Sequence, residues 1–115
     1  MTVRRVVPDI HTQAMRESRD FYGLLGFEEV MDHGWIATLA SPSRPAAQVS
    51  VMTAGRTAPV APGMSIEVDD VDAAYEAVRA SGAEIVHPLQ DEEWRVRRCF
   101  VRDPDGRVVN VLGHV

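Results

Sequence analysis

One pattern of elements occurs twice along the 115 residues. Val3 to Ile10 is rich in β-branched residues and predicts a strand. His11 and Thr12 lead into a predicted helix from about Gln13 to Leu25. Its apolar positions Met15, Phe21, Tyr22 and Leu25 fall near helical spacing, and Gly26 closes it. Phe27 to Met31, Trp35 to Ala40 and Ala47 to Thr53 predict three strands, parted by a turn at Asp32-His33-Gly34 and a loop over Ser41 to Pro45. Ala54 to Gly63 carries two Gly and two Pro and predicts a linker. The pattern then restarts. Met64 to Val68 predicts a strand, and Asp69 or Asp70 caps a helix over about Val71 to Ser81 that Gly82 ends. Ala83 to Val86 predicts a short strand, with a loop through Pro88. Arg95 to Arg102 and Arg107 to Leu112 form a hairpin about Asp103-Pro104-Asp105-Gly106, where Pro second and Gly fourth suit a type I turn closed by a bulge.

The order is βαβββ, linker, βαβββ, an internal repeat. Gly26 and Gly82 set its offset at 56 residues, which places Val7 against Gly63 on the two leading strands. The fold class is therefore α+β, built from two βαβββ modules. A single domain spans 1–115, with halves of about 1–54 and 63–115.

Hydrophobic residues make up 45% and charged residues 25%, ordinary globular values that leave room for one modest core. The formal net charge of −5 repels phosphate backbones, which argues against nucleic-acid partners and anionic membrane surfaces. The uncharged stretch from Thr57 up to Glu67 is too short and Pro-rich to span a bilayer. No apolar run follows Met1-Thr2-Val3-Arg4-Arg5, so no signal peptide is read. Cys99 stands alone, which precludes an intrachain disulfide; the cytoplasm is the expected compartment.

Three segments carry a family likeness. Ser18-Arg-Asp-Phe21-Tyr22-Gly-Leu-Leu-Gly26-Phe27-Glu28 resembles the first helix of vicinal-oxygen-chelate proteins, the glyoxalase, bleomycin-resistance and extradiol dioxygenase superfamily. Ile66-Glu67-Val68-Asp69-Asp70-Val71-Asp72 resembles the strand-to-helix junction of their second half. Trp94-Arg-Val-Arg97, then Phe100, then Asp103-Pro104-Asp105-Gly106 resembles their final hairpin, often W-G-x-R…F-x-D-P-D-G. The likeness covers nearly the whole chain in order and spacing. It implies two βαβββ modules forming curved mixed sheets around a cup, helices on the outer face, and many members bind a divalent metal in that cup through His, Gln and Glu. Carried over residue by residue, the matching positions are Val7, Gly63 and Asn110. Valine and glycine offer no ligand atom, and asparagine is a weak neutral donor where transition metals want imidazole, thiolate or carboxylate. No metal and no cofactor is therefore expected. Glu67 and Asp9, one cup-facing step beyond Gly63 and Val7, are the candidates for a displaced carboxylate site. His11, His33, His87 and His114 are placed at a helix entrance, two loops and the C-terminus, off the cup-facing strand positions.

Strand alternation assigns the faces. Met64, Ile66 and Val68 pack on a helix, leaving Gly63, Ser65 and Glu67 inward. Val6 and Ile10 point outward, leaving Arg5, Val7 and Asp9 inward. Val49 and Val51 pack, leaving Gln48, Ser50 and Met52 inward. A bulged turn pairs Asp103 with Arg107, Phe100 with Asn110 and Arg98 with Leu112; a one-residue slip substitutes Arg97 and Cys99 for Arg98 and Phe100. The candidate ligand-binding residues are Val7, Asp9, Trp35, Gln48, Ser50, Met52, Ser65, Glu67, Trp94, Arg98, Phe100, Asn110 and Leu112.

Each has a structural reading beside the functional one. Trp35 and Trp94 stack on a ligand or sit in a core or interface. Phe21 and Tyr22 read as helix-to-sheet core. Arg98 holds an anionic ligand or pairs with Glu67 or Asp9. Asp69, Asp70 and Asp72 cap a helix, Asp91-Glu92-Glu93 reads as a solvated loop, and Cys99 as an inert buried thiol. His11 and His33 are solvated loop residues or acid–base groups.

The favoured function is metal-independent binding that sequesters a hydrophobic or aromatic antibiotic-like molecule, as the family's resistance proteins do. The alternative is a metal-independent isomerase, cyclase or lyase of secondary metabolism, with Asp9, Glu67 or a histidine as acid–base group. A metal-dependent lyase or dioxygenase ranks below both. A homodimer with shared grooves is expected, each chain supplying two half-cups, with the linker long enough for a swap.

Overall fold

The computed structural model describes residues 1–53 and 60–115. The first six residues of the expected linker lie outside the described residues; Val60 to Gly63 lie within them.

The element order is β1 (Val3–His11), α1 (Met15–Leu24), β2 (Glu28–Asp32), β3 (Ile36–Ala40), β4 (Gln48–Met52), β5 (Met64–Val68), α2 (Val71–Ala80), β6 (Ile85–Asp91), β7 (Val96–Arg102) and β8 (Val108–His114). The eight strands form one curved, unclosed sheet in the order β2-β3-β4-β1-β5-β8-β7-β6. Each half contributes four neighbouring strands. In each, the leading strand runs parallel to the last, β1 to β4 and β5 to β8. The halves join where β1 pairs antiparallel with β5, Val7 opposite Ser65 and Pro8 opposite Met64. Met64 is also the 56-residue counterpart of Pro8, so the pseudo-two-fold axis of the repeat passes through this pair. The two half-cups of one chain are therefore joined edge to edge along β1 and β5.

Why each helix lies where it does follows from strand alternation. On β5, β7 and β8 the outward residues Ile66, Val68, Cys99, Val101, Val109 and Val111 meet Val71, Ala74, Tyr75 and Val78 of α2. The Asp70 side chain caps α2 by accepting from the Ala73 N–H at 3.0 Å. In the other half Ile10, Leu39, Val49 and Val51 meet Met15 and Tyr22 of α1, together with Phe27. Burial of such apolar side chains stabilises at roughly 25 cal/mol per Å² removed from water.

Three expectations are corrected here. Phe21 is not core: it is 55% exposed, while Tyr22 packs on the sheet. Consecutive helical residues point about 100° apart, so a helix resting on a sheet by one narrow stripe buries only one of the two. Second, β6 does not stop at Val86. It continues through Pro88 to Asp91, with two register shifts against β7. Proline is tolerated because β6 is an edge strand, where a missing donor breaks no ladder bond. Third, the Asp91-Glu92-Glu93 segment is not uniformly solvated, because Glu92 is buried.

The last hairpin has the bulged-turn register. Asp103 N–H donates to Arg107 O at 2.9 Å, and Gly106 takes φ +88°, the left-handed conformation that closes such a turn. Phe100 stands opposite Asn110 and Arg98 opposite Leu112.

Candidate functional site

The concave face of the sheet encloses a cavity of about 150 Å³. Its floor is the seam between the two halves. Val7, Ser65 and Asn110 sit side by side on β1, β5 and β8, all three registered with one another. Val7, Asp9, Trp35, Ser50, Ser65, Trp94, Arg98, Asn110 and Leu112 line this space. Met52 and Phe100 line a smaller adjoining space of about 40 Å³, which shares Trp35, Ser65, Arg98 and Asn110 with the first. The structure thus brings eleven of the thirteen candidates together. Gln48 and Glu67 stand outside these walls. Both are held by Arg5, whose guanidinium donates to the Glu67 carboxylate and to the Gln48 side-chain oxygen.

The trough separates the two carboxylates proposed for a displaced metal site. β1 and β5 are antiparallel, so Glu67 faces Arg5 while the Asp9 N–H donates to Gly63 O, at the far end of β5. Four residues of strand separate their backbone positions by about 13 Å along the seam. No group of three or more His, Cys, Asp or Glu that could hold a metal occurs among the described residues. At the family's ligand positions stand a buried aliphatic side chain (Val7), a glycine and an amide. That donor set does not fit a divalent transition metal.

The polar floor is a short chain. Ser65 O–H donates to Asp9 Oδ2 at 2.7 Å, and Asn110 Nδ2 donates to Ser65 Oγ at 2.9 Å. Asp9 is 5% exposed, and burial pushes its carboxyl up to about 6. The Ser65 hydrogen bond and the nearby His11, Arg5 and Arg98 pull the other way without cancelling it. The other amide atom, Asn110 Oδ1, is buried and meets no partner among the described residues.

One wall is a stack. The Arg98 guanidinium carbon lies 5.0 Å from the Trp94 ring centre and 4.8 Å from that of Phe100. His87 also packs against Phe100, 5.2 Å between centroids. Cation–π contact of this kind is worth more when desolvated, and Arg98 is 6% exposed. Its counter-charge is Glu92, whose Oε1 lies 3.5 Å from both Arg98 Nε and His87 Nε2. The partner foreseen from sequence, Glu67 or Asp9, is replaced by a residue read as solvated. Trp35 and Trp94 meet edge-to-face, 5.4 Å between centroids, over the mouth. Beyond them lies an open groove of about 400 Å³ lined by His33, Trp35, Glu93 and Trp94.

The histidines are also corrected. His87 is a buried strand residue on β6. His11, at the end of β1, lines the smaller space, and its Nε2 lies 2.8 Å from Pro62 O. His33 and His114 border the main cavity. Thr38, bonded to Ser50 at 3.0 Å between hydroxyls, was missed. Alternation on β3 predicts it, because Leu39 packs outward. No local signal marks Glu92. Cys99 matches its reading as an inert thiol, fully buried with its pKa pushed up to about 11 by desolvation.

The model for the Glyoxalase/Bleomycin resistance protein/Dioxygenase superfamily matches residues 5–111. The chain belongs to this superfamily. Solved structures agree on the fold. A superfamily member from Vibrio splendidus 12B01 is 21% identical, with a TM-score of 0.70, covering 97% of this chain and 99% of that one. Methylmalonyl-CoA epimerase from Mycobacterium tuberculosis is 19% identical, with a TM-score of 0.67, covering 98% and 87% respectively. A hypothetical protein from Bacillus halodurans C-125 reaches a TM-score of 0.76 at 12% identity, covering 100% and 96%. No curated protein matches the chain significantly. The superfamily includes enzymes and binding proteins, so chemistry must be argued from the cup itself.

Proposed function

We propose that the cup binds a small aromatic molecule without a metal and releases it unchanged, sequestering an antibiotic-like or secondary-metabolite ligand. The observation that carries this reading is the Trp35–Trp94 pair set over a partly apolar cavity with a few directed polar groups, the usual make-up of a ligand site. A space of about 150 Å³ is the size that takes a single benzene-like ring. A larger ligand would seat one ring there and lay the rest across the tryptophans into the groove beside His33 and Glu93. Titration with aromatic antibiotics, followed by tryptophan emission and by recovery of the ligand, tests this. Saturable quenching with unchanged ligand is expected. Absence of quenching by any aromatic compound, or recovery of a new compound, overturns it.

A second reading, a metal-independent isomerase, cyclase or lyase, has one observation in its favour. A buried carboxyl with a pKa near 6 is poised for proton transfer near neutral pH. Turnover lost in Asp9→Asn with binding retained would select it.

The protein is further proposed to act in the cytoplasm as a homodimer. In support, Phe21 and Leu24 of α1, Leu25 just after it and Val30 of β2 are all more than half exposed, and large exposed apolar side chains commonly mark interfaces. Among the described residues no helix is long and apolar enough to cross a membrane. Sedimentation should give twice the 12.7 kDa chain mass, falling to one chain in Leu24→Asp. A monomer at every concentration overturns the dimer.

A further inference from the structure

The charges around the cavity do not balance locally. Arg5 and Arg98 are its two guanidinium groups, and each has a carboxylate of its own, Glu67 and Glu92. Asp9 is the carboxylate left over. Its one side-chain hydrogen bond is from Ser65, and it makes no ion pair among the described residues. An ionised carboxylate has about four acceptor sites, and a buried one left short of donors carries a desolvation cost. On the other side of Ser65, Asn110 is 8% exposed, with Oδ1 buried and unpartnered. Asp9 and Asn110 both line one aromatic-lidded cavity. Native proteins rarely leave such groups unpaired, and a ligand that donates to them removes the cost.

We infer that the cup selects a cationic aromatic amine or amidine, its ring under Trp35 and Trp94 and its N–H groups donating to Asp9 and to Asn110 Oδ1. The inference rests on the reading of the cup as a small-molecule site and deepens it by naming the ligand class. Of the two sequence-based readings of Arg98, it takes the structural one. With Glu92 beside it, Arg98 is structural wall rather than an anion receptor. Amidine is the better-matched head group, because it carries a delocalised positive charge and N–H donors on two nitrogens.

The test uses the intact protein and three probes of one ring size: benzamidine, benzoate and toluene, each titrated by tryptophan emission and by calorimetry. Benzamidine is expected to bind at least tenfold more tightly than benzoate. Asp9→Asn, which keeps side-chain volume, should collapse the benzamidine-to-toluene affinity ratio about tenfold. Asn110→Leu should lower it severalfold by an independent route, and thermal melts verify that both variants fold. Benzoate binding as tightly as benzamidine, or a ratio unchanged in both variants, overturns the inference while leaving the cup a ligand site. If none of the three probes binds, the small-molecule reading falls with it.

Discussion

Arg98 and Glu92 form a buried ion pair across the β6–β7 junction, 3.5 Å apart with side chains 7% and 1% exposed. The pair fixes the rotamer of the residue that Trp94 and Phe100 sandwich. Removing one partner of such a pair strands the other in low dielectric. Glu92→Ala should therefore cost about 3 kcal/mol or more of unfolding free energy, while the paired replacement Glu92→Leu with Arg98→Met should recover most of it. Urea unfolding at pH 7 distinguishes the outcomes. Equal losses in the single and double variants would show that the pair contributes no coupling.

Asp9 makes stability depend on pH in a defined window. Its pKa is about 6 folded against an ordinary 3.8, so between those values the native state binds more protons than the unfolded chain. Unfolding free energy from this group accordingly falls as pH rises from about 4 to 6 and stays low above 6. Its protonated form is the better-tolerated one. Asp9→Asn should raise stability at pH 7 by about 1–3 kcal/mol and flatten the curve in that window. A variant that is less stable at pH 7 and keeps the wild-type slope would refute this.

Arg95 has φ +66°, the single non-glycine residue with positive φ among those described. It ends the tight β6–β7 connection, where its N–H donates to Glu92 O at 3.2 Å. Holding a side-chain-bearing residue in that region costs about 1 kcal/mol. Arg95→Gly should raise the melting temperature by a few degrees. A fall would mean that the arginine side chain contributes more than the backbone strain removes.

Offered Zn, Ni, Mn and Fe(II), the purified protein should retain none in stoichiometric amount by elemental mass spectrometry. The ground is the donor set: Val7 and Gly63 have no ligand atom, and the antiparallel seam keeps Asp9 and Glu67 apart. About one metal per chain would require a first shell drawn from the histidines at the rim.

Much of this arrangement was legible in the sequence because it rests on local rules. Period-two alternation put Ser65, Ser50 and Asn110 on the concave face, and Asp103-Pro104-Asp105-Gly106 fixed the hairpin register that sets Phe100 against Asn110. What escaped depends on the joining of the halves or on pairing across strands. Parity along β1 and β5 shows that Asp9 and Glu67 both face inward, yet not that antiparallel pairing carries them to opposite ends. Glu92 looks like any acidic loop residue until β6 is seen to run on to Asp91 and bring it beside Arg98. Phe21 and Tyr22 satisfy the same helical pattern, and only the position of α1 on the sheet chooses between them.

Asp9 and Ser65 are 56 residues apart, the repeat offset itself, and they are bonded to each other beside the pseudo-two-fold axis. A cup built from two identical halves would look the same to a guest turned end over end and would hold it in two superimposed orientations. Here one half places an acid at the shared position, and the other an alcohol backed by an amide. The repeat has lost its symmetry at its own axis, so the floor has a direction. A guest entering it is oriented as well as held, and the two ends of a rod-shaped or planar molecule are told apart.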